Sequence, residues 1–81
     1  MNVQLSDCAI AQLAAAPPAV QKAVIKQLSF LARNLAHPSL HAKKYDEAKS
    51  RWQARVNQDW RFYFTIRTDT YCVEEIVPHP K

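Results

Sequence analysis

Two periodicities divide this chain. Between Ser6 and Leu35 apolar residues recur every three or four positions, and from Arg51 onward they recur every second position. The first pattern predicts two helices. Ser6 is a suitable N-cap and Asp7 an acidic first-turn residue for an Ala-rich helix reaching Ala16. Pro17-Pro18 ends that helix, and Pro18 fits the first turn of a second one running to about Leu35. In the second helix Val20, Val24, Leu28, Leu31 and Leu35 form one apolar stripe, with Lys22, Lys26 and Arg33 off it. Before the helices, Asn2-Val3-Gln4-Leu5 alternate and predict a short first strand. A helical hairpin with one apolar side needs a sheet to cover.

The second pattern supplies the sheet. Trp52, Ala54 and Val56 alternate with Arg51, Gln53, Arg55 and Asn57; Trp60, Phe62, Phe64 and Ile66 alternate with Arg61, Tyr63, Thr65 and Arg67. Thr68-Asp69 marks a turn into a last strand over 70–77. Because a one-residue slip would turn every side chain over, the apolar sets must share a face. That sets Val56 opposite Trp60, Ala54 opposite Phe62 and Trp52 opposite Phe64. The loop is then Asn57-Gln58-Asp59, with a bulge and one left-handed residue expected. In the next hairpin Ile66 opposes Tyr71, and Phe64 opposes Val73. Thr65, Tyr63 and Arg61 then face Cys72, Glu74 and Ile76, which leaves Glu75 on the core face opposite Phe62. Residues 36–50 are polar and predict a loop with a brief extended piece at 42–45. The expected class is α+β: a short N-terminal strand, a two-helix hairpin and an antiparallel meander, with the helices on one face.

The same register places Arg55 directly opposite Arg61 on the open face. Two opposed arginines repel each other. Either an anion binds between them, or both extend into water with Glu74 or Asp59 as counter-charge. On the open face Arg61 is expected to contribute little to stability.

Composition narrows the class. Eighty-one residues predict one domain spanning the chain, with one core. Formal net charge is +4, with 11 Lys and Arg against 7 acids, which fits an anionic partner such as RNA, DNA or an acidic protein segment. Cys8 and Cys72 form no metal or redox motif and read as small hydrophobes, and no signal or membrane-spanning segment is visible, so a cytoplasmic protein with reduced thiols and no membrane partner is expected. His37 and His41, beside Pro38, read as a solvated turn, since two candidate ligands fall short of a metal site. His79 follows the last strand and shows no partner by spacing. Neither metal nor cofactor is expected.

Trp52-Gln53-Ala54-Arg55-Val56-Asn57, Trp60-Arg61-Phe62-Tyr63-Phe64 and the terminal Pro78-His79-Pro80 carry a resemblance. With the strand and helical hairpin before them, they resemble the RelE/ParE superfamily of type II toxin–antitoxin toxins over nearly the whole chain. In that family an aromatic-Arg pair opens the third strand, and an Ile/Val-x-x-His ending closes the last. The resemblance implies a toxin whose partner is a small antitoxin, with DNA contacted only through that antitoxin. The superfamily includes ribosome-dependent mRNA endonucleases and inhibitors of DNA gyrase. For a nuclease it implies Arg61, Arg55 and His79 as catalytic residues. Lys43, Lys44, Lys49, Arg51, Gln53 and Tyr63 would contact RNA, although the lysines read equally well as a solvated loop. Gln53 stands where some members have a second lysine, and Pro80 where a tyrosine often lies. These departures fit a gyrase inhibitor or an inactive antitoxin-binding relic; Arg61 with His79 fits the nuclease.

Overall fold

A computed structural model describes residues 2–79 of the chain; Pro80 lies outside the described residues. In order, the elements are β1 (Asn2–Leu5), α1 (Asp7–Ala15), α2 (Pro18–Arg33), a 3-10 turn (Pro38–Leu40), β2 (Lys43–Asp46), β3 (Arg51–Arg55), β4 (Trp60–Arg67) and β5 (Thr70–Pro78). Five strands form one sheet in the order β1-β5-β4-β3-β2. β2 to β5 make the expected antiparallel meander, while β1 returns to pair in parallel with β5.

Local chemistry explains the element ends. Ser6 caps α1, its side chain accepting from the Ala9 N–H at 3.0 Å. Pro18 sits in the first turn of α2, where a missing N–H costs nothing. The helix stops at Arg33, short of Leu35, because Asn34 turns extended and its side-chain oxygen takes the Ala36 N–H at 3.0 Å. The chain has no glycine, so the left-handed positions fall to His41, Ser50 and Thr68, each with φ near 50°. None falls in 57–59, where a left-handed residue was expected. There the Asn57 Oδ1 accepts both the Asp59 and Trp60 N–H groups at 2.9 Å, and the side chain shapes the turn instead.

The core lies between the helices and one face of the sheet. Phe62, Phe64, Val73, Ile76 and Ala54 from the strands meet Val24 and Leu31 of α2, with Leu40 closing one end. Of the predicted stripe, Val20, Val24 and Leu31 are buried, whereas Leu28 and Leu35 are partly buried. The first hairpin has the expected register, with Trp52 opposite Phe64, Ala54 opposite Phe62 and Arg55 opposite Arg61.

The second hairpin follows the expected register from Arg67 to Phe64 and then departs from it. Tyr63 pairs with Glu75, Phe62 with Ile76 and Arg61 with Val77, because Glu74 is inserted as a β-bulge. The correction removes Glu75 from the core and puts Ile76 there, 1% exposed. The extra residue is held by α1. Ser6 Oγ donates to the Glu74 carbonyl at 2.8 Å, and the Ile76 N–H donates to Gln12 Oε1 at 2.7 Å.

One buried polar side chain was not anticipated. Gln27 of α2 lies within the core, where its Nε2 donates to the Ser39 carbonyl at 2.9 Å and the Arg55 carbonyl at 2.7 Å, while its Oε1 accepts from Ser39 Oγ at 3.2 Å. It joins α2, the 3-10 turn and the end of β3. Gln27→Ala strips donors from two carbonyls and leaves a void, so chemical denaturation should show a loss of about 2–4 kcal/mol.

Candidate functional site

The helices leave one sheet face open, and the chain's cationic chemistry collects at the end of that face where β3 turns into β4. A pocket of about 420 Å³ opens there, lined by His41, Lys43, Gln53, Arg55, Arg61 and His79 together with Ala42 and Ala54. Strand pairing sets Arg55 beside Arg61 and Lys43 beside Gln53. The two histidines arrive from distant segments. His79 is brought in by its backbone, whose N–H donates to the Asp59 carbonyl at 2.6 Å and ties the end of β5 to the β3–β4 loop. His41 follows the 3-10 turn in a left-handed conformation. That turn is fixed by His37, whose Nδ1 accepts from the Ser39 N–H at 3.2 Å and whose ring stacks on Phe30 at 3.9 Å. The two histidines expected in a solvated turn are therefore a cap and a pocket wall.

Among the described residues no carboxylate lines the pocket. Among the described residues the ion pairs instead involve Lys44 with Glu47, and Arg51 with Glu74 and Glu75. The two pocket arginines are thus left facing each other. Arg55 Nε is buried without a hydrogen-bond partner among the described residues. Burial, followed by the Arg55 charge, lowers the pKa of Arg61, with Tyr63 and Asp59 acting in the opposite direction. A phosphate-sized anion between the guanidinia would offset the repulsion. Among the described residues no three His, Cys, Asp or Glu side chains converge as a metal site.

Arg61 also serves the fold. Its Nη1 donates to the carbonyls of Asn57 at 2.5 Å, Trp60 at 2.8 Å and Gln58 at 3.4 Å, so it clasps the loop and is not a freely solvated side chain. The remaining sequence candidates separate. Lys43 and Gln53 line the pocket, Lys44 and Lys49 are exposed near the β2–β3 turn, and Tyr63 borders the pocket through Gln53. Arg51 is engaged: its Nη2 lies 2.5 Å from Glu75 Oε2, and its Nε lies 3.3 Å from Glu74 Oε1 without hydrogen-bond alignment. Sequence reasoning missed His41. Its one signal was its place just before Lys43-Lys44, in the extended piece expected at 42–45.

No family model matches the chain, and no curated protein matches it as a relative. Solved structures share its fold. The YoeB/ParE toxin from Agrobacterium tumefaciens superposes with a TM-score of 0.82 over 99% of this chain and 100% of that one, at 9% identity. The YoeB dimer from Staphylococcus aureus gives 0.80 over 99% and 98%, at 16% identity. The RelBE2 toxin–antitoxin complex of Mycobacterium tuberculosis gives 0.78 over 96% of each chain, at 20% identity. The fold is that of the RelE and YoeB toxins.

Because Arg61 holds three loop carbonyls, Arg61→Ala should cost about 1–2 kcal/mol. The near-neutral outcome expected of an open surface position is replaced by this one. A urea titration against the unsubstituted protein measures the difference.

Proposed function

We propose that the chain is the toxin of a type II toxin–antitoxin pair and an endoribonuclease acting on mRNA at the ribosome. The observation that carries this reading is the convergence of Arg55, Arg61, Lys43, His41 and His79 in one pocket that no carboxylate of the described residues lines. Such a pocket suits transesterification within RNA. A base removes the proton of a ribose 2′-hydroxyl, and the O2′–P bond forms as the P–O5′ bond breaks. An acid protonates the departing 5′ oxygen, leaving a 2′,3′-cyclic phosphate and a 5′-hydroxyl. Negative charge grows on the non-bridging oxygens, where Arg55 and Arg61 hold and stabilise it. Imidazoles exchange protons near neutral pH, so His79 and His41 supply the two proton-transfer groups. A lysine at position 53 is then unnecessary. Lys43, Lys44 and Lys49 lie on the path of the RNA backbone, where contacts weaken with salt.

The expected partner is a small antitoxin that covers the basic face, with DNA reached only through it, and the site of action is the cytoplasm. Structural neighbours in complex with antitoxins, among them the RelB–RelE antitoxin–toxin complex from Methanococcus jannaschii, support that partner. One observation favours a second reading, a ParE-like inhibitor of DNA gyrase. Arg61 is engaged with loop carbonyls, a role that needs no substrate.

Arg55→Gln and His79→Ala separate these readings better than a change at Arg61, since neither side chain holds the loop. Induced expression of the intact chain should arrest growth and create new transcript 5′ ends. Each substitution should lower cleavage on the order of 10²–10³-fold with little change in melting temperature. Growth arrest without new 5′ ends, accompanied by impaired gyrase supercoiling, would replace the nuclease with the inhibitor.

A further inference from the structure

Two β-bulges flank a single patch of the open face. In β2 the extra residue is Tyr45, lying between the Lys44–Trp52 and Asp46–Arg51 pairs. In β5 it is Glu74, which shifts Glu75 to a position beside Tyr63. Bulges redirect the side chains next to them, and both of these redirect toward Arg51 and Tyr63. Glu75 pairs with Arg51, and the Arg51 guanidinium lies 4.9 Å from the centre of the Tyr63 ring. The Tyr63 hydroxyl accepts from Gln53 Nε2 at 3.2 Å. Held in this way, the Tyr63 ring meets Tyr45 edge to face, at 5.1 Å between centroids and 67° between planes.

Tyr45 is the end of this chain of contacts, and it is 59% exposed. An aromatic ring braced from one side and bare on the other is a surface without an occupant. Lys43 precedes it on the same strand and lines the cationic pocket, Lys44 is paired with Glu47, and Gln53 links Tyr63 to the pocket wall. Arg61 and Tyr63 are successive open-face positions of β4, about 7 Å apart along the strand. The step from the arginines to the aromatic pair is therefore about that between a phosphate and a neighbouring base. Single-stranded RNA is gripped by this combination of backbone-binding cations and exposed aromatic rings.

We propose that Tyr45 is a stacking ledge for one unpaired nucleobase adjacent to the phosphate held by Arg55 and Arg61, an inference that rests on the endoribonuclease reading. Tyr63 is its positioning residue. Arg51 contributes by bracing Tyr63, which accounts for an arginine on the open face being paired with two carboxylates. The ledge takes a base by its flat face, so it selects an unstacked nucleotide and tolerates base identity.

The test uses the intact protein and ribosomes programmed with a short mRNA carrying a 2′-O-methyl group at the scissile position, which blocks cleavage. Binding is compared between this RNA and versions lacking one base at each position in turn. The unsubstituted protein should lose about tenfold in affinity at one position beside the blocked phosphate. Tyr45→Ala should bind the intact RNA at that weaker level and become indifferent to the missing base. Tyr45→Phe should behave like the unsubstituted protein, and Arg55→Gln should weaken binding to every version alike. Tyr45 lies exposed on an edge strand, so melting temperatures of the Tyr45 variants should barely move. If Arg55-dependent binding persists but no missing base matters, or Tyr45→Ala keeps the preference, the ledge is overturned alone and the ring is left to a protein partner. If the protein binds none of the programmed ribosomes, the endoribonuclease reading falls and takes the ledge with it.

Discussion

The complete burial of Phe62 and Phe64 under the helices is the constraint from which the rest of this structure follows. Two aromatic rings on alternate positions of the same strand can both be buried in only one orientation of that strand. Once they point at α2, Arg61, Tyr63 and Thr65 must point away from it. The partners opposite them on β3 are then fixed as well, and Arg55 comes to lie against Arg61. The hydrophobic term sets this arrangement against electrostatic opposition. Burying each large aromatic contributes about 2–3 kcal/mol, whereas like charges paired across a half-exposed sheet cost a fraction of that. Apolar burial thereby assembles a cationic pocket that charge alone would disperse.

Helix α1 shapes the other end of the open face. Its cap residue Ser6 and its Gln12 satisfy the backbone groups that the Glu74 bulge leaves without ladder partners. The bulge brings Ile76 into the core and turns Glu75 outward, where it pairs with Arg51. That pairing holds Glu75 against Arg51, and among the described residues no carboxylate lines the pocket. The division of labour between the arginines follows: Arg51 is neutralised and braces Tyr63, while Arg55 and Arg61 retain their charge toward the pocket. Gln27 acts comparably from α2, fixing the Arg55 carbonyl and the turn that leads to His41.

The two helices, the alternating strands, the first hairpin's register and the juxtaposition of Arg55 with Arg61 were all legible in the order of residues. These depend on local spacing and on the rule that apolar sets share a face, and spacing is written in the chain. It also supplied the resemblance to the RelE/ParE toxins, whose RelE and YoeB structures share this fold. The remaining features came from contacts between distant segments. A bulge at Glu74 has no local signature, because the residues that accept it, Ser6 and Gln12, lie more than sixty positions away. The parallel pairing of β1 with β5, His79 tethered to Asp59, His41 at the pocket wall and Tyr45 braced by Tyr63 are likewise contacts between segments remote in sequence. Periodicity reports which way a side chain faces; which distant group meets it there is settled only when the backbone donors and acceptors of the whole sheet are satisfied together.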